Sequence, residues 1–121
     1  MSPRTVVVVG ETPSLGRSIG DLLLTEGIPC RMVSDVTARE LDSWGAERAP
    51  VIIVACNEVY CRTARRWARG EFPGTSLVVV GARDPSLQGM GGARIVSLPL
   101  QREPLVALVR ELTSDGTAGS G

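Results

Sequence analysis

The stretch VVVVGETPSLGRSIGDLLLTEG, Val6 to Gly27, decides the architecture of this chain. Thr5 to Val9 is a β-branched run ended by Gly10, and it reads as a strand buried on both faces, because a half-buried strand would alternate apolar with polar residues. Thr12-Pro13-Ser14 then opens a helix, with Thr12 as N-cap and Pro13 at the first helical position, where a missing amide hydrogen costs nothing. Leu15, Ile19, Leu22 and Leu23 recur at i, i+4, i+7 and i+8 and form one apolar stripe. Gly27 suits the left-handed residue just past the helix end.

Outward from this unit the alternation continues. Cys30 to Ser34 reads as a short second strand, and Thr37 to Trp44 as a short helix with Leu41 and Trp44 on one side, ended by Gly45. Val51 to Ala55 is a third buried strand, and Glu58 to Arg69 is helical by composition and closes at Gly70. Pro73-Gly74 turns into a fourth strand, Ser76 to Val80. Asp84 to Gly92 contains three glycines and a proline, so a helix there is short or missing. Ile95 to Leu98 is expected as the fifth strand, and Pro104 as the start of a last helix facing the core with Leu105, Leu108, Val109 and Leu112.

Continuous apolar strands alternating with helices imply a single doubly wound α/β domain with a parallel sheet. Five strands suit the flavodoxin-like order 2-1-3-4-5, which places ligand sites at the C-terminal ends of strands 1 and 3. Residues 1–112 are expected to form this domain. Residues 113–121, rich in Gly, Ser and Thr, read as a flexible tail or linker, and the whole could be the first domain of a longer regulator.

Composition narrows the chemistry. The chain has 121 residues, 43% of them apolar, which supplies an ordinary core, and 13 basic residues balance 13 acidic ones. That balance argues against nucleic acid or an anionic membrane as partner. There is no histidine, so imidazole catalysis and His-ligated metal sites are excluded. All 13 cations are arginine, so Schiff-base chemistry and a P-loop lysine are excluded as well. Cys30, Cys56 and Cys61 form no CxxC pair and no disulfide framework, which fits a reducing, cytoplasmic compartment. No secretory leader is evident, and no apolar stretch approaches the roughly 18 residues of a membrane span.

The sequence resembles the receiver family of response regulators over about residues 4–112. Val6 to Gly27 looks like a receiver's first strand, acidic turn and first helix, and APVIIVACN (49–57) looks like the third strand ending at the phosphoacceptor. ARIVSLPLQREPLVALVREL (93–112) looks like the fifth strand, the proline that follows the family's lysine, and the last helix. The resemblance implies a phosphoacceptor carboxylate, two acids that hold Mg²⁺, a hydroxyl that senses the phosphoryl group and a lysine that pairs with it. Here the acid pair falls on Gly10 and Glu11, the phosphoacceptor on Cys56 (or Ala55, one register earlier), the hydroxyl on Gly81 and the lysine on Leu98. Magnesium requires hard oxygen ligands, and phosphoryl transfer without it leaves charge unscreened. The implied protein is a pseudo-receiver: not an enzyme, with no cofactor and no metal. It would act on a protein partner (a regulator, a kinase or an output domain) or on a second copy of itself. The family's pairing surface near its fourth helix would be altered by Gln88 to Gly92.

Other readings compete. Gly10, Gly16 and Gly20 follow a strand into a helix, and Asp35 ends the second strand about where an acid would hold a ribose, so the Gly10–Gly16 loop could bind a nucleotide or NAD(P) as a Rossmann turn does. Against this, the middle position of that turn holds Pro13, which has no amide to offer a pyrophosphate, and Gly16 and Gly20 four apart could serve close helix–sheet packing alone. Cys56 and Cys61 could sense redox state or be small buried hydrophobes. Arg62, Arg65, Arg66 and Arg69 form a stripe that could dock an acidic partner or be a solvated face, and Trp67 is either a core or rim anchor or, if exposed, an interface residue.

Overall fold

In the computed structural model, residues 6–35, 37, 51–72, 75–81 and 92–113 are described. They form, in chain order, β1 (Val6–Gly10), α1 (Pro13–Thr25), β2 (Cys30–Val33), β3 (Ile52–Ala55), α2 (Arg62–Ala68), β4 (Leu77–Val80), β5 (Ala93–Val96) and α3 (Arg102–Thr113). All neighbouring strands pair in parallel, in the order β2-β1-β3-β4-β5. This is the doubly wound arrangement that the apolar strand runs predict.

Burial follows position in the sheet. Val6 to Val9 in β1, and all of β3 and β4, are buried, whereas the edge strands β2 and β5 are buried on neither face along their middles. Successive side chains of a strand point to opposite faces. Val6 and Val8 therefore join Ile19 and Leu23 of α1 and Leu105, Val106 and Val109 of α3 in one core layer. Val7 and Val9 join Ile52, Val54, Leu77 and Val79 in the other, with Cys61 and Ala64 beside α2 and the ring of Phe72.

Helix α1 starts at Pro13 as expected, and it closes in a Schellman arrangement: Gly27 N–H donates to Leu24 O (3.0 Å), and Ile28 N–H to Leu23 O (2.9 Å). Its glycines are packing devices. A Cβ on Gly16 would stand 2.9 Å from Gly10 Cα, and one on Gly20 would meet Met32 Sδ at 2.5 Å, so the helix lies directly on β1 and β2. Helix α3 is tied to the end of α1 through Glu26, which pairs with Arg102 (3.8 Å) and Arg110 (3.7 Å).

Several boundaries differ from the sequence reading. The fifth strand is Ala93–Val96 rather than 95–98, so Leu98 lies beyond it. Helix α2 begins at Arg62 instead of Glu58, because Cys61 is extended (φ −108°, ψ 104°) and the segment before it forms a loop. The last helix begins at Arg102, two residues before Pro104, a position in the first turn where proline removes no internal hydrogen bond. The second strand stops at Val33, one residue short of Ser34. The expected helix over 37–44, apart from residue 37, the 84–91 segment and the tail from 114 lie outside the described residues. No helix of the described residues is long and apolar enough to cross a membrane.

Candidate functional site

The C-terminal ends of β1, β3 and β4 and the residues after β5 meet at one end of the sheet, where this fold class places its ligand sites. The β1–β3 register pairs Gly10 with Ala55, which brings the next residues, Glu11 and Cys56, to the same level. The turn between β1 and α1 is stitched to the end of β3. Thr12 N–H donates to Ala55 O (2.7 Å), and Asn57 N–H donates to Thr12 Oγ1 (2.9 Å). Thr12 occupies the N-cap position of α1, but its hydroxyl makes no cap bond; the amide of Asn57, from across the sheet end, has it instead.

Glu11 has a definite task. Its carboxylate accepts hydrogen bonds from two backbone amides in the first turn of α2, Arg62 (Oε1, 3.1 Å) and Thr63 (Oε2, 2.7 Å). Cys61, the N-cap residue of α2, makes no side-chain cap bond, and none of the first-turn residues is acidic. A carboxylate from β1 thus does what an N-cap side chain normally does and complements the positive helix end. It also sets where α2 begins.

Cys56 and Cys61 are both fully buried. Cys56 Sγ donates to Tyr60 O (3.3 Å), and Cys61 Sγ lies within 4.8 Å of that sulfur. Burial pushes both thiols above the ordinary cysteine range, with nearby Glu11 adding to the effect, while the neighbouring backbone at Ala64 partly offsets it for Cys61 and that at Glu58 for Cys56. Both therefore stay protonated at neutral pH and are poor nucleophiles, which removes support from a redox-sensor reading. Half-buried Cys30 is also raised, by burial and then by Asp21.

The other side of the sheet end is apolar. Gly81 follows β4 with φ +85°, and its N–H donates to Val96 O (3.0 Å). A Cβ at this position would meet Leu15 Cδ2 and Leu98 Cδ1, each at 3.3 Å, and Cys56 O at 3.4 Å. Leu15, from the first turn of α1, and Leu98, from the loop after β5, close over the residue where the resemblance places a hydroxyl. The structure thus brings Gly10, Glu11, Cys56, Gly81 and Leu98 to one end of the sheet and adds Leu15 and Cys61. Leu15 reads in sequence only as part of a core stripe, so its reach over Gly81 leaves no local signal.

The magnesium ion that receivers use does not fit these residues. Among the described residues, Glu11 is the carboxylate that stands with Cys56 and Cys61 here, and two of these three donors are sulfur. Mg²⁺ demands near-octahedral oxygen ligation.

Of the arginine stripe, Arg66 is the built-in member. Its side chain is 21% exposed, its Nε donates to Glu71 Oε1 (3.0 Å), a terminal nitrogen donates to Asp35 Oδ1 (3.3 Å), and the guanidinium lies over the Phe72 ring. Arg62 and Arg69 reach Asp35 (4.0 Å) and Glu71 (3.8 Å) from exposed positions, and exposed pairs of this kind contribute little. Arg65 stacks on the exposed ring of Tyr60 at 4.4 Å. Asp35, the candidate ribose ligand, is therefore engaged by helix α2, and the Thr12 amide of the Gly10–Gly16 loop is engaged by β3. Trp67 is a rim anchor: half-buried against the second core layer, it donates from Nε1 to Thr75 O (2.8 Å).

Comparison with protein-family models finds no match, and comparison with curated proteins finds none either. Among solved structures, the chain is similar to a response regulator from Thermotoga maritima, with a TM-score of 0.63 and 20% identity over 93% of this chain and 99% of that one. The class is therefore a flavodoxin-like α/β fold of the receiver type. At that identity the likeness speaks for the fold, and what the sheet end does must be read from its own residues.

Proposed function

We propose that this protein is a receiver-like signalling module that takes up no phosphoryl group, catalyses no reaction and acts in the cytoplasm by binding another protein or a second copy of itself. The observation that carries this reading is the closure of the sheet end over Gly81 by Leu15 and Leu98. A phosphoryl group there would meet methyl groups where its oxygens need a hydroxyl and an ammonium, and burying it against them without partners is unfavourable by several kcal/mol, on the order of the cost of an unpaired polar group or more. The remaining carboxylate, Glu11, is committed to helix α2. Three free cysteines are compatible with a reducing compartment.

A surface suited to a partner lies beside this site. Val59 and Tyr60 are 59% and 64% exposed, in the loop that leads into α2, and Arg65 covers the Tyr60 ring. Tyrosine and arginine side by side are what binding hot spots favour. Two measurements test the proposal together. Intact-mass analysis after acetyl phosphate and Mg²⁺ should show no phosphoryl adduct. Cross-linking and sedimentation should show a complex, with itself or with a regulator, kinase or output domain, that Tyr60→Ser with Arg65→Glu abolishes while leaving the circular dichroism unchanged. A stoichiometric adduct, or complex formation indifferent to that double change, would overturn it.

A further inference from the structure

Three segments far apart in sequence place metal-ligating side chains together at the end of the sheet: Glu11 after β1, Cys56 after β3 and Cys61 at the start of α2. We propose that Cys56 Sγ, Cys61 Sγ and a Glu11 carboxylate oxygen form a binding site for one thiophilic divalent cation of the Zn²⁺ class. Their donor atoms all lie within 4.8 Å of one another. Around a tetrahedral Zn²⁺, with Zn–S near about 2.3 Å and Zn–O near about 2.0 Å, such edges span roughly 3.5–3.8 Å. Closing the site therefore needs an inward shift on the order of 1 Å along its longest edge, within the reach of side-chain torsions.

The donor chemistry selects the ion. Two sulfurs and one carboxylate suit a borderline-soft ion and reject Mg²⁺ and Ca²⁺, which require oxygen. Glu11 has an oxygen to give. Its Oε2 holds the Thr63 amide at 2.7 Å, whereas Oε1 holds the Arg62 amide at the longer 3.1 Å, so Oε1 turns to the ion while Oε2 keeps the helix end. Three protein ligands leave one position for water. Loading breaks two S–H bonds, forms two S–metal bonds and releases two protons to solvent, with no change of oxidation state. Asn57, Glu58, Val59 and Tyr60, the loop that joins the two cysteines, are exposed.

The test uses the full chain, reduced and anaerobic, titrated with Co²⁺ and with Zn²⁺. One equivalent of Co²⁺ should produce thiolate-to-cobalt charge-transfer absorption and the visible bands of a tetrahedral site, and Zn²⁺ should displace it. Cys56→Ser or Cys61→Ser should abolish the charge-transfer band or weaken binding by at least about tenfold, the loss that removing even an outer-shell partner brings. Glu11→Gln should weaken it, and Cys30→Ser should leave it unchanged. Should a variant fail to fold, a second measurement on the unaltered protein decides: Zn²⁺ should protect Cys56 and Cys61 from N-ethylmaleimide in mild denaturant, with Cys30 still modified. Absence of a charge-transfer band at excess Co²⁺, binding that survives both serine variants, or equal protection of all three thiols would overturn the proposal.

Discussion

The two halves of the sheet's C-terminal end are built in different ways. On the β1–β3 side polar groups remain, but each is occupied: Glu11 holds α2, Thr12 holds Asn57, and Cys56 bonds to Tyr60. On the β4–β5 side, Gly81 carries no side chain and Leu15 and Leu98 stand against it. Donors that are engaged within the fold can still be recruited by another ligand; an apolar wall offers none.

The largest effect should come from challenging the closed wall. Gly81→Ser restores a hydroxyl but places a Cβ in the left-handed region and within 3.3 Å of two leucine methyls. We expect a loss of about 2–3 kcal/mol in urea unfolding, partly recovered when Leu98→Ala is added. If Gly81→Ser is tolerated without cost, the wall is looser than its contacts indicate.

On the polar side the expected loss is smaller. Glu11→Ala removes the foreign cap of α2 and should cost about 1 kcal/mol, with faster hydrogen exchange at the Arg62 and Thr63 amides and no change at those of α3. Glu11→Gln, which retains an acceptor, should fall between the two. Equal exchange rates in Glu11→Ala and the unaltered protein would remove Glu11 from its capping role.

The smallest effect is a pH slope. Burial raises the Cys56 and Cys61 thiols in the folded protein above their unfolded values. Below the unfolded pKa both states hold the protons and stability is unaffected. Above it the unfolded chain ionises first and binds fewer protons, so stability declines as pH rises. Near pH 9, with chelator present, each thiol should cost a few tenths of a kcal/mol, on the order of RT ln 2. Serine at both positions should flatten the slope, and a slope unchanged in that variant would place its cause elsewhere.

Much of this architecture is legible in the sequence, for reasons visible in the structure. Strands β1, β3 and β4 are buried on both faces and so read as unbroken apolar runs, while α1 has a clear stripe and a glycine stop. The edge strand β5 has exposed middle residues, Arg94 and Ile95, so its apolar pattern points two residues beyond its true limits. The start of α2 was hidden because the group that sets it stands 51 positions away in sequence. That Gly10, Glu11, Cys56, Gly81 and Leu98 share one end of the sheet is legible in the sequence, but their neighbours are not. Leu15 looks like any core leucine, and nothing in the spacing of Glu11, Cys56 and Cys61 shows that their donor atoms converge.

The most direct measurement is a ¹H–¹⁵N correlation spectrum recorded before and after Mg²⁺ with beryllofluoride, the stable mimic of an acyl phosphate. With the sheet end closed and its carboxylate committed, the amide signals of Glu11, Asn57, Gly81 and Leu98 should stay where they are at saturating reagent. A saturable, Mg²⁺-dependent movement of those signals that spreads into β5 would contradict the reading.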